Sequence, residues 1–325
     1  MNILIPDAPE FAALGKESFP GMTFAPYRAS KELPQDAEGL VLWGLPRDLR
    51  GKALHLPSLK WVLTLSAGVE HVIDEVPERV TLYNASRLHD DAVAQHALAT
   101  LLSVARGLPR ARDAQREHRW ARLPGLWTLE NKHVVVWGFG HIGRRLEAML
   151  APLGARVTGL RSRSSQEEVG SALSEADALV LLLPATDETR GLVNAEVLAR
   201  LKKGAWLANF GRGSAVVTAD LIAALQNGHL GGAILDVTDP EPLPPESPLW
   251  SMENVLITPH VASATSDMLA RAAAFTRRRS AVASAIAAFM SAAVLSQDMP
   301  AITASAASRQ LRSVPCASAS ASSQA

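Results

Sequence analysis

Three charged residues stand behind apolar runs in the second half of the chain: Arg212 in NFGRGSAV, Glu241 in LDVTDPEPLPPESPLW and His260 in ITPHVASAT. A guanidinium offers a planar fork of donors that suits a carboxylate and a neighbouring carbonyl oxygen. An imidazole can give or take a proton near neutral pH, and a carboxylate beside it can orient it and favour its charged form. Each has a plainer explanation when taken singly: a surface arginine, a loop glutamate between prolines, a packed histidine. In this order, each after a strand of an open parallel sheet, all three emerge at the carboxyl edge, where ligands bind.

A second chemical signature is VVVWGFGHIGRRL, Val134 to Leu146. Gly138 permits a tight turn after a strand, Gly140 lets backbone approach a pyrophosphate, and Gly143 allows close helix–strand packing. The helix that follows offers amino-terminal N–H groups and a positive dipole end to phosphates. Gly138, Gly140, His141, Ile142 and Gly143 are therefore expected at a dinucleotide. At the end of the next strand an Asp or Glu often binds the adenosine ribose of NAD. Here that place reads Leu160-Arg161-Ser162-Arg163-Ser164, with no acid. A carboxylate would repel a 2′-phosphate, whereas a guanidinium pairs with it and a hydroxyl donates to it. At about 1.5–3 kcal/mol per charge-assisted bond, one placed arginine outweighs a tenfold preference. Arg161, Ser162 and Arg163 thus favour NADP(H), with NAD(H) possible if the arginines only line a solvated loop or stack on adenine.

Elements able to position these groups are visible along the chain. NILI, GLVLW, WVLTL and VTLYN read as buried strands of a first series. HVVVW, RVTGL, ALVLLL, AWLAN, GAILD and VLIT form a second series, with amphipathic stretches between them. Such alternation argues for parallel sheets covered on both faces. A long helical pattern, Asp90 to Leu108, separates the series, and TSDMLARAAAF reads as a helix after the second. His89, Asp90, Asp91 and His96 resemble a ligand cluster, but a helix with exposed charges accounts for them, and no metal site is expected. Trp120 and Trp127 read as packing or a pocket wall.

Composition bounds the rest. With 325 residues and 48% hydrophobic content, the chain has room for about two domains. Lys+Arg and Asp+Glu are both 32, so no basic excess asks for nucleic acid or an anionic membrane. Cys316 stands alone, which excludes a disulfide framework and a thiolate metal site. No signal-peptide pattern opens the chain, and the uncharged run Ala281 to Gln297 falls short of a span. A cytoplasmic protein is expected. From about Thr276 the composition turns Ala-rich, and 301–325 is low-complexity, a segment expected to be disordered.

From about Gly39 to Thr265 the chain resembles the D-isomer-specific 2-hydroxyacid dehydrogenases. The matching segments are SAGVEHV, DAVAQHAL, GFGHIG, LLPATDETRGLVN, NFGRG, LDVTDPEPL and TPH, in that order. PEPLPPESPLW together with RSRS is most similar to the NADPH-linked glyoxylate/hydroxypyruvate reductases. The resemblance implies a Rossmann nucleotide-binding domain, 98–265, inserted in a flavodoxin-like substrate domain, 1–97 with a return segment 266–300. Both are doubly wound α/β domains. It implies that Arg212 grips a 2-oxoacid, that His260 donates the proton as hydride arrives, and that Glu241 orients His260. It places backbone at Ala67, Gly68 and Val69 on the substrate carboxylate, Pro184 at the cofactor and Asp236 near the nicotinamide. A homodimer is the implied assembly. Two departures stand out. The position that usually reads Glu is Gln95, and after Ala274 the usual charged helix and returning strand are not recognisable. Alternatives are an NAD-linked D-hydroxyacid dehydrogenase and a non-catalytic, dinucleotide-responsive binding protein of the corepressor kind.

Overall fold

The computed structural model describes residues 1–14, 21–27, 32–85 and 87–278. The expected tail 301–325, the run Ala281 to Gln297, Cys316 and the return segment beyond residue 278 lie outside the described residues.

Among the described residues the first unit comprises Met1–Leu88 and Ser266–Arg278. Its strands are β1 (Asn2–Pro6), β2 (Thr23–Tyr27), β3 (Ala37–Leu42), β4 (Trp61–Thr64) and β5 (Thr81–Asn84), with α1 (Pro9–Ala12) and α2 (Arg47–Leu54) between them. All pairs are parallel, in the order β2-β1-β3-β4-β5, which is the flavodoxin-like arrangement. Successive side chains of a strand point to opposite faces. Leu4, Leu40, Leu42, Val62 and Leu82 therefore enter one core, and Ile3, Ile5, Val41 and Leu63 enter another. Residues 268–278 are helical, as the TSDMLARAAAF pattern predicts. Ala272 and Ala273 bury in the second of these cores, and Arg271 donates to the Leu88 carbonyl over 3.0 Å.

The second unit, His89–Thr265, begins with α3 (Asp90–Ala105) and α4 (Leu108–Arg116). Gly107, in the left-handed region at φ 64°, breaks what the sequence reads as one helix. Six parallel strands follow: β6 (His133–Trp137), β7 (Arg156–Leu160), β8 (Ala178–Leu181), β9 (Trp206–Asn209), β10 (Gly232–Leu235) and β11 (Val255–Ile257). Their order is β11-β10-β9-β8-β6-β7. The chain leaves β6 toward β7 and returns on its other side to β8. The carboxyl end of β6 is thus a topological switch point, the place where doubly wound sheets bind ligands. The covering helices are α5 (His141–Leu150), α6 (Gln166–Glu175), α7 (Ala195–Arg200) and α8 (Thr218–Gln226).

The division falls between Leu88 and His89, whereas the sequence-based boundary at 97 and 98 cuts through α3. Packing decides this. Val93, Ala97, Leu101 and Val104 share one core with Leu146 and Leu150 of α5. Each of the buried Val and Leu side chains contributes about 1.5–3 kcal/mol. The exposed Asp91–Arg145 pair beside them contributes about 0–1 kcal/mol.

One buried titratable group in β6 links stability to pH. His133 is 4% exposed, with Nε2 2.8 Å from Thr158 Oγ1 and Nδ1 lacking a hydrogen-bond partner. Burial, and after it the Arg156 guanidinium, hold its pKa below the usual histidine range against the weaker pull of Glu175 and Asp177. The folded chain therefore binds fewer protons than the unfolded chain below about pH 6.5, and stability falls as pH drops from there. His133→Asn should show a smaller loss of urea midpoint between about pH 7 and pH 5 than the unmodified protein. Parallel midpoint curves would refute this.

Candidate active site at the carboxyl edge of the second sheet

The glycine loop is built on β6 and tied to its neighbour. Gly138 and Phe139 donate their N–H groups to the Leu160 carbonyl at the end of β7, over 3.0 and 2.9 Å. Gly138 has φ 96°, and a methyl group there would meet the Leu182 carbonyl oxygen at 2.5 Å. Only glycine fits both conditions. A methyl at Gly140, the N-cap of α5, would meet nothing closer than 3.9 Å, so the space before the helix is open. The first-turn amides of a helix lack intrahelical partners, and no acid stands in this first turn to compete for them. The loop fits a dinucleotide pyrophosphate on its own geometry.

The end of β7 carries the groups expected at the adenosine. Arg161 places its guanidinium carbon 5.5 Å from the Phe139 ring centroid, and its backbone N–H donates to Ser164 Oγ over 3.2 Å. Ser162 and Arg163 are exposed. Two acids, Glu167 and Glu168, stand in the first turn of the following helix, and Glu168 is turned back to accept the Ser165 N–H in a capping box. No ion pair to Arg161 or Arg163 forms among the described residues, so their charge is available to an anion. Pro184 lies exposed beyond β8, its carbonyl accepting from Thr189 Oγ1 over 2.6 Å.

Arg212, Glu241 and His260 follow β9, β10 and β11 respectively. Asn209, buried at the end of β9, shapes the Arg212 loop. Its side chain accepts from Gly211 N and donates to the Arg212 carbonyl. Nothing in the motif NFGRG marks Asn209 for this role, because an amide carries no sign of its partners in sequence. Gly213 leaves no room for a side chain against the backbone of Thr238, so the Arg212 loop lies on the segment leading to Glu241. His260 Nδ1 lies 2.7 Å from Glu241 Oε1, with both side chains nearly half exposed, at 47% and 43%. The Arg212 guanidinium donates to the Gly211 carbonyl over 2.8 Å.

His260 has φ 53°. The left-handed conformation costs a non-glycine residue about 1–2 kcal/mol, and such strain persists only where neighbours over-determine it. Asp236 supplies the restraint. Its carbonyl accepts His260 N over 2.7 Å, and its carboxylate accepts Thr258 Oγ1, Val261 N and Ala262 N over 2.6, 3.0 and 3.0 Å. Asp236 is 3% exposed.

In the first unit the segment Ala67-Gly68-Val69 follows β4. Asn84 Nδ2 donates to the Ala67 carbonyl and Ser66 Oγ to the Gly68 carbonyl, both over 2.9 Å, while Val69 is buried.

Other expectations resolve individually. Asp91 is an exposed helix charge, paired with Arg145, whereas His89 is buried at the N-cap of α3 and His96 reaches Thr258, so exposed helix charges account for only part of the cluster. Among the described residues no group of three or more His, Cys, Asp or Glu could hold a metal ion, and no helix is long and apolar enough to cross a membrane. Trp127 packs at the edge of the α3–α5 core, whereas Trp120 is fully exposed at 101%, contrary to the packing expected of it.

Comparison with known proteins agrees with this geometry. The family model for the NAD binding domain of D-isomer specific 2-hydroxyacid dehydrogenases matches residues 98–262. An uncharacterized protein in the proB 3′ region of Corynebacterium melassecola is 38% identical over 234 residues, 66% of this chain and 76% of that protein. A D-isomer specific 2-hydroxyacid dehydrogenase from Xanthobacter autotrophicus, solved with NADPH and MES, is 32% identical with a TM-score of 0.71, covering 87% of this chain and 95% of that one. An NADPH-dependent glyoxylate/hydroxypyruvate reductase from Sinorhizobium meliloti, solved with NADP and sulfate, is 30% identical with a TM-score of 0.70. The match covers 90% of this chain and 96% of that one.

Proposed function

The chain belongs to the D-isomer specific 2-hydroxyacid dehydrogenases, which are NAD(P)-dependent oxidoreductases, and on that premise we propose that it reduces a small 2-oxoacid of the glyoxylate/hydroxypyruvate type to the D-2-hydroxyacid, using NADPH. The observation that carries the reading is the 2.7 Å pair between His260 Nδ1 and Glu241 Oε1. With Nδ1 engaged by a carboxylate, Nε2 is the ring nitrogen left to take up and deliver a proton. A bound nicotinamide dinucleotide supplies the hydride. His260 delivers the proton to the substrate carbonyl oxygen, and Arg212 holds the carboxylate and that same oxygen through its planar fork. We assign the substrate carboxylate also to backbone at Ala67, Gly68 and Val69, on the resemblance and on the order within that loop.

NADPH is favoured by Arg161, Ser162 and Arg163 and by the lack of an acid from Leu160 to Ser164. The similar proteins from Xanthobacter autotrophicus and Sinorhizobium meliloti were solved with NADPH and NADP. A homodimeric, cytoplasmic enzyme is the form proposed with this reading, on the family resemblance alone.

The test follows NADPH and NADH absorbance with glyoxylate, hydroxypyruvate, pyruvate and phenylpyruvate. Glyoxylate or hydroxypyruvate should oxidise NADPH with the highest catalytic efficiency. If protein shown to bind the dinucleotide oxidises neither cofactor with any of the four acids, the reductase reading is wrong.

A further inference from the structure

His96, on α3, has no part in the chemistry assigned above, yet its side chain is only 22% exposed and reaches the loop that carries His260. Its ring meets Phe210 edge to face, with centroids 5.9 Å apart at 83°, which fixes the imidazole plane. Nε2 lies 3.1 Å from Thr258 Oγ1. The Thr258 hydroxyl has one hydrogen, and it goes to Asp236 Oδ1. His96 must therefore donate from Nε2 to the hydroxyl oxygen. The same nitrogen is 3.7 Å from Asp236 Oδ1.

Asp236 is the common anchor of the loop, bonding Thr258, His260, Val261 and Ala262. A buried carboxylate needs compensation as well as donors. His96 supplies a donor to Thr258 and brings that N–H to within 3.7 Å of the carboxylate. We propose that His96 is a positioning residue for His260, acting through Thr258 and Asp236, and so links the helix α3 to the proton-donating loop. The proposal rests on the reading of His260 as proton donor. Nothing in DAVAQHAL signals it, because residues 96 and 258 meet only in the folded chain. Without the His96 donor, the strained backbone at His260 loses part of its restraint and the imidazole departs from its place beside Glu241. A misplacement on the order of 1 Å costs up to about 10²-fold in rate.

The experiment compares His96→Leu, which keeps bulk against Phe210, with His96→Gln, which keeps an N–H near the place of Nε2. Each is made in the unmodified protein and in His260→Ala, and kcat, the KM for NADPH and the melting temperature are measured. His96→Leu should lower kcat by about 10- to 100-fold with the cofactor KM and melting temperature near their original values. His96→Gln should recover most of that loss. In the His260→Ala background His96→Leu should cost nothing further, since the group it positions is gone. An unchanged kcat in His96→Leu, an equal loss in both backgrounds, or no recovery in His96→Gln overturns the proposal. If His96→Leu does not fold, Thr258→Val removes the bridging hydroxyl and must show the same dependence on His260. Full turnover in His260→Ala alone would instead overturn the proton-donor reading, and that result is seen before any His96 variant is made.

Discussion

His260→Ala should turn over about 10²–10⁴-fold more slowly than the unmodified protein, the usual scale for loss of a general acid, while dinucleotide binding survives. Both halves of the expectation come from placement. The imidazole stands nearly half exposed at the carboxyl edge, bonded to Glu241 and mounted on a backbone that other groups hold in a strained conformation. Its removal leaves those restraints in place, because Asp236 bonds the backbone of the loop rather than the ring. The glycine loop proposed for the pyrophosphate, Gly138 to Gly143, follows β6, and β11 is the far edge of the sheet, so the proposed phosphate contacts should be untouched. Single-turnover rates of 2-oxoacid reduction, with cofactor binding followed by fluorescence, separate the two effects. A variant that keeps most of its turnover would mean that another group delivers the proton.

The second large effect concerns the cofactor. Arg161→Asp should reverse the preference for NADPH over NADH, swinging the ratio of catalytic efficiencies by about 10²-fold or more, with little change in the KM for the oxoacid. A charge-assisted bond to phosphate contributes about 1.5–3 kcal/mol, which by itself is about 10- to 100-fold, and the new carboxylate adds repulsion toward a 2′-phosphate while accepting from a ribose hydroxyl. Arg161 is suited to this because a ring, not an anion, holds it: the cation–π contact with Phe139 contributes about 0.5–1 kcal/mol at an exposed site and leaves the charge unneutralised. The same substitution at Arg163, which is exposed and makes no such contact, tests the neighbouring arginine. If Arg161→Asp keeps the original ratio and Arg163→Asp abolishes it, the phosphate belongs to Arg163. Equal efficiency with both cofactors in the unmodified protein would sink the preference altogether.

Local patterns were enough to read all six strands of the second sheet and four of the five in the first. Each of those is a run of apolar residues such as HVVVW or GLVLW, because a parallel strand covered on both faces must be apolar on both. β2, Thr23–Tyr27, escaped. Its TFAPY has Pro26 within it and exposed residues at two of five positions, and an edge strand can carry both because one side of its backbone is unpaired. The glycine loop and the missing acid were equally legible, since the chemistry of a phosphate site is written in residues adjacent along the chain. The order Arg212, Glu241, His260 was legible too, as three residues each behind a strand.

Contacts between distant positions were decided by tertiary packing. That α3 belongs with the second sheet follows from Val93, Leu101 and Val104 meeting Leu146 and Leu150, a match of surfaces that periodicity cannot report. Asp236 reads in sequence as one acid at a strand end, but in the fold it bonds four residues of a loop more than 20 positions away and is reached from α3 by His96. Residue type and spacing reveal which groups can carry protons, charge or phosphate. Which of them restrain the others depends on hydrogen-bond distances, and those exist only once the strands have aligned their carboxyl ends.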